Sequence, residues 1–122
     1  MQESFLKAVH LFNDGDYAEF QDQLDSMTSH TRAASERRFY TVLKRLAEAM
    51  LQLGDGDVED AVAMLGSALK GLDEFVPRFR GIDVSALRDD VERTIGELRA
   101  AREGRRTEHA PSKLPRLRVL PE

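Results

Sequence analysis

The amino-acid sequence predicts an all-α protein: a compact bundle of about five helices, built from two helical hairpins plus a closing helix, with an extended C-terminal tail. Three observations carry this expectation. Apolar residues recur at helical spacing in five separate segments, Gly-Asp or Pro punctuation lies between them, and the period vanishes beyond about Ala101. The expected division is a bundle domain over residues 1–102 and a flexible basic and apolar tail over 103–122.

The first helix is expected over 4–13, with Ser4 as its N-cap and Phe5, Val9 and Phe12 on one face. Asn13-Asp14-Gly15-Asp16 ends it, because Gly15 can take positive φ and Asp16 can cap the second helix. That helix, over 16–27, aligns Tyr17, Phe20, Leu24 and Met27. The third, over 34–53, carries Phe39, Val42, Leu43, Leu46, Met50 and Leu53, and its length makes it central. After Gly54-Asp55-Gly56-Asp57, the fourth runs over 57–74 with an unbroken stripe through Val58, Ala61, Val62, Leu65, Ala68, Leu69 and Leu72. Beyond Val76-Pro77, Asp83 or Ser85 can cap a fifth helix over 84–102 that buries Val84, Leu87, Val91, Ile95 and Leu98. No sheet is expected.

A weak internal repeat relates the hairpins. Ala8, Phe12, Asp14-Gly15-Asp16, Tyr17 and Leu24 match Ala49, Leu53, Asp55-Gly56-Asp57, Val58 and Leu65 at a constant offset of 41. The pattern resembles a tetratricopeptide-type helical hairpin, but two copies fall short of a solenoid, so the hairpins are expected to pack on each other.

Composition narrows the function. The 122 residues contain no cysteine, which removes disulfides, thiolate metal sites and cysteine nucleophiles. The Met1-Gln2-Glu3-Ser4 start lacks a secretory pattern and no apolar run is long enough for a membrane span, so a cytoplasmic location is expected. Residues 1–98 hold 11 Lys/Arg against 19 Asp/Glu, a balance of −8, whereas 99–122 hold 7 against 3, a balance of +4. An acidic body argues against nucleic acid as the partner, since phosphate binding is driven by Lys and Arg.

Three ordered segments carry a family resemblance: Leu11-Phe12-Asn13-Asp14-Gly15-Asp16-Tyr17, Gly56-Asp57-Val58-Glu59-Asp60-Ala61-Val62-Ala63-Met64-Leu65, and Pro77-Arg78-Phe79-Arg80-Gly81-Ile82-Asp83-Val84-Ser85-Ala86-Leu87. Over roughly residues 5–98 the chain resembles the small helical proteins of domain-of-unknown-function family 309. The resemblance implies an all-α bundle. It also implies a polar cluster from a His-Glu-x-Leu-Glu motif on the second helix, for which a metal-dependent activity is suspected. Here that motif reads Gln21-Asp22-Gln23-Leu24-Asp25, and the facing stretch on the third helix corresponds to Thr41-Val42-Leu43-Lys44-Arg45. The imidazole has become an amide and two cations stand nearby, so the resemblance implies a degenerate site.

Two groups of residues are therefore candidates. The first is the polar cluster Gln21, Asp22, Asp25 and Arg45, with an acid-to-Arg45 ion pair across the bundle as its structural reading. The second is Leu114, Arg116, Leu117, Arg118 and Leu120, an extended basic and apolar peptide suited to adding a strand or filling a groove in a partner. No catalytic residue, metal ligand set or cofactor is expected. His10, His30 and His109 are scattered, and the Asp-Gly-Asp turns lack the spaced acids of a calcium loop. In the Arg78-Phe79-Arg80 loop, the ring is expected on the core and the arginines in solvent. The expected function is a non-catalytic protein-interaction or scaffold module, binding another protein or a second copy through a helical face or the tail. The alternatives are a metal-dependent hydrolase retaining Asp22 and Asp25, and a small nucleic-acid-associated regulator using the tail.

Overall fold

The computed structural model describes residues 2–104 and 113–121. Residues 105–112, among them His109 and Pro111, lie outside the described residues, as do Met1 and Glu122. Five helices occur in order: α1 (Glu3–Asn13), α2 (Tyr17–Thr28), α3 (Ala34–Gly54), α4 (Val58–Leu72) and α5 (Val84–Arg102). Each packs against its neighbour in sequence, and α3 is central as its length requires. One correction concerns the start of α1, which begins a residue early with Gln2 rather than Ser4 in the N-cap position.

The repeat has a structural counterpart at the two hairpin turns. In the first, the N–H groups of Gly15 and Asp16 donate to the carbonyls of Phe12 and Leu11 at 3.1 and 2.9 Å. In the second, those of Gly56 and Asp57 donate to Leu53 and Gln52 at 3.1 and 2.9 Å. Both turns are Schellman caps with glycine at φ +85° and +83°, a conformation that a side chain would strain. The Asp-Gly-Asp sequence thus ends helices. Asp57 also caps α4 by accepting from the Asp60 N–H, and Asp83 rather than Ser85 caps α5 by accepting from the Ala86 N–H at 2.9 Å.

The core tracks the apolar stripes. Phe12, Phe20, Leu24, Leu43, Leu46, Leu65, Leu72, Leu87 and Leu98 are buried in one cluster spanning all five helices. Gly71 serves the packing of α4 on α3: a methyl there would meet the Val42 side chain at 2.6 Å, so only glycine allows this approach.

The absence of a sheet is the second correction. A two-residue hairpin pairs β1 (Arg78–Phe79) with β2 (Ile82–Asp83), with Arg78 opposite Asp83 and Phe79 opposite Ile82. Arg80 and Gly81 both have positive φ, +51° and +78°, the geometry of the two-residue turns that match strand twist. The hairpin seats Phe79 against Phe39 and Phe75, with ring centroids at 4.9 and 4.8 Å. Arg78 is exposed, while Arg80 approaches Glu36 at 3.6 Å.

Residues 113–121 are not separate from the bundle. They run back along α5, antiparallel to it, from Lys113 near Arg93 to Val119 opposite Ile82. Leu117 is only 2% exposed and belongs to the core cluster. Of the two expected fates of the tail, binding a partner or docking on its own bundle, this segment shows the second, because the buried Leu117 side chain and an ion pair from Arg118 to the buried Asp90 both hold it down.

Candidate functional site

The returning segment lies in a groove made by three elements. At one wall stands Asn13, the last residue of α1. Its Nδ2 donates to the Leu117 carbonyl at 2.9 Å, and its Oδ1 accepts from the Leu117 N–H at 2.8 Å. A side-chain amide thereby replaces the strand neighbour that an extended backbone needs. The second wall is β2. The Asp83 N–H donates to the Arg118 carbonyl at 2.9 Å and the Leu120 N–H to the Gly81 carbonyl at 2.8 Å, around an antiparallel bridge between Ile82 and Val119. The segment thus joins the edge of the two-stranded hairpin through a single bridge, the beginning of a strand addition.

The third element is Asp90 on α5, whose side chain is only 5% exposed. Its carboxylate accepts from Arg118 Nη1 at 2.8 Å, from Arg93 Nη1 at 3.2 Å and from the Arg116 backbone N–H at 3.3 Å. A buried carboxylate must be paired, and the tail supplies two of these three donors. Pro115 and Leu117 face inward between them, while Arg116, Arg118 and Val119 are exposed. Beside the segment a cleft of about 360 Å³ opens between Tyr17, Asp14 and Arg116. Burial pushes the Tyr17 phenol above its ordinary value.

The sequence candidates in the tail therefore divide. Leu117 is the buried anchor and Arg118 the charged one. Arg116 contributes its backbone N–H, Leu120 its backbone N–H, and Leu114 is 45% exposed. Asn13 and Asp90 are the receptor residues that sequence reasoning missed. A signal existed for Asp90: it lies on the apolar stripe through Leu87, Val91 and Thr94, where an acid requires a partner. Asn13 gave none, since its last-turn position is that of any helix-ending asparagine.

The other candidate group does not assemble as expected. Gln21 Nε2 donates to the Lys44 carbonyl and to Glu48 Oε2, both at 3.2 Å, and Asp25 pairs with Lys44 Nζ at 2.7 Å. Asp22 is exposed. The expected ion pair with Arg45 is corrected to Lys44 for a helical reason. Lys44 and Glu48 are four apart on the side of α3 facing α2, whereas Arg38, Val42 and Arg45 share the side facing α4. Among the described residues, no three His, Asp or Glu side chains converge to hold a metal ion. Nor is any described helix long and apolar enough to cross a membrane. No family model, curated protein or solved structure matches the chain.

Proposed function

We propose that this protein is a non-catalytic interaction module that binds extended protein segments by strand addition, and that its own C-terminal segment occupies the groove until a partner displaces it. The observation that carries this reading is the recognition of residues 115–120 mainly through backbone bonds to Asn13, Gly81 and Asp83, with one apolar and one charged anchor. Backbone pairing gives affinity to any extended chain, and the inward Leu117 and the Arg118 charge give selectivity. The preferred ligand is thus an extended Pro-x-Leu-Arg-x-Leu pattern.

Reversible occupancy suits the connection. Eight residues join Gly104 to Lys113, enough to reach about 30 Å when extended. The distance along α5 from Arg102 back to Arg93 is about 14 Å. The segment can leave and return without unwinding α5, and its tethered concentration is on the order of millimolar. In this proposal the likeness to family 309 is one of scaffold, with Gln21, Asp25, Lys44 and Glu48 standing as an ordinary polar contact between α2 and α3.

The test opens the groove in the full chain. Leu117→Ala with Arg118→Ala removes the internal anchors, and a labelled peptide of residues 113–122 should then bind, as read by fluorescence anisotropy. Adding Asn13→Ala should weaken that binding by about tenfold or more. If the opened chain keeps its helical circular dichroism and the peptide does not bind, the groove serves only the chain's own folding.

A further inference from the structure

A second surface, independent of the tail groove, lies where α4 is flanked by α3 and α5. A groove of about 800 Å³ runs there with Val62, Ala63 and Gly66 in its floor and Arg45, Lys70 and Arg99 around it, each cation from a different helix. No carboxylate lines it. Among the described residues, the side chains of these three cations make no ion pair or hydrogen bond. Some cations of this acidic chain pair with carboxylates, as Arg38 does with Glu74 and Arg118 with Asp90, and others among the described residues, such as Arg37, do not; what sets these three apart is that they surround one concavity. Three uncompensated cations around one concavity raise its positive potential, which favours an anionic occupant.

The floor adds an independent indication. Gly66 sits in the interior of α4, where glycine weakens a helix relative to alanine, and a methyl placed on it would meet nothing within 4 Å. The bundle gives this glycine no packing role, in contrast to Gly71 against Val42. Its effect is to deepen the groove from outside. An adjoining cleft of about 410 Å³ shares Arg45 and Gly71 and extends the concavity along α3 toward Arg37, with the paired Arg38 and Glu74 in its lining.

We infer that this groove docks an acidic amphipathic helix of a partner protein. Its apolar side would lie on the exposed Ala63 and the edge of the largely buried Val62, its backbone would approach over Gly66, and its carboxylates would meet Arg45, Lys70 and Arg99. Helix-in-groove recognition needs an apolar lane with charges at its margins. Single-stranded nucleic acid would need stacking platforms, and no aromatic ring lines this surface.

The test titrates the isotope-labelled full chain, monitored by amide NMR. The probes are a short capped helical peptide of glutamate, leucine and alanine, its lysine-for-glutamate counterpart, inorganic phosphate, and a single-stranded RNA oligonucleotide. The acidic peptide should shift the Ala63, Gly66 and Ser67 amides saturably and leave Leu117 unmoved, while the lysine peptide should shift none of them. Arg45→Glu with Arg99→Glu should weaken the acidic peptide by about tenfold or more. Gly66→Leu, with open space to receive its side chain, should keep the folded spectrum and abolish binding. The inference is overturned if the acidic peptide leaves these amides in place or the lysine peptide moves them equally. It is also overturned if phosphate or RNA saturates them at lower concentration, or if they shift on dilution of the chain alone, which would make the occupant a second copy.

Discussion

Asn13 and Leu117, 104 positions apart, exchange two hydrogen bonds, the Asn13 amide meeting both the N–H and the C=O of Leu117 at 2.8 and 2.9 Å. Asn13→Ala leaves two backbone groups beside a buried leucine without protein partners, at a cost of about 1–3 kcal/mol. Asn13→Asp keeps the acceptor but sets a charge against the Leu117 carbonyl. Urea melts give the energies, and hydrogen exchange at the Leu117 amide should pass from protected to fast in Asn13→Ala, which removes its acceptor.

Arg116 and Arg118 are alike in sequence and unequal in the structure. Arg118→Ala removes the closest partner of the buried Asp90 carboxylate and should destabilise by about 2–4 kcal/mol. Arg116→Ala keeps the backbone N–H that Asp90 uses and should stay within about 0.5 kcal/mol of the parent. Deleting residues 113–122 removes Leu117 together with Arg118 and should cost about 3–5 kcal/mol. Denaturant midpoints unchanged by the deletion would return the tail to the status of a separable peptide.

Two glycines of α4 should respond in opposite directions to alanine. Gly66→Ala places its methyl in open space and should stabilise by about 0.5–1 kcal/mol through helix propensity. Gly71→Ala drives its methyl to 2.6 Å from the Val42 side chain, and should destabilise by about 1–3 kcal/mol. Thermal melts of the pair decide whether Gly66 is structurally idle.

Leu65 is fully buried at the middle of the α4 stripe. Leu65→Ala should cost about 2–5 kcal/mol in a denaturant melt, while Leu114→Ala, at an exposed position, should cost within about 0.5 kcal/mol.

Arg38 donates to both oxygens of Glu74, and these hydrogen bonds hold the Glu74 carboxyl below its ordinary value of 4.5. A depressed carboxyl stabilises the fold above the ordinary value, and that contribution is lost as pH falls through the folded value. In Arg38→Ala the Glu74 titration, measured by NMR, should move up toward 4.5.

The sequence by itself determined the helices, because their causes are local. The stripes through Phe39 to Leu53 and Val58 to Leu72 set α3 and α4, and Gly15 and Gly56 ended the helices before them through backbone freedom alone. Tertiary structure alone decided the rest. The Arg80-Gly81 turn became a hairpin because Phe79, beside its near neighbour Phe75, found Phe39, a ring distant in sequence. Lys44 met α2 and the adjacent Arg45 met α4, a matter of which neighbour packed on each face of α3. Most of all, the tail's resting place depended on Asn13 and Asp90, which lie 104 and 28 positions from Leu117 and Arg118. Periodicity reports which residues avoid water, but a buried carboxylate and a lone amide find their partners only when folding has brought distant segments together.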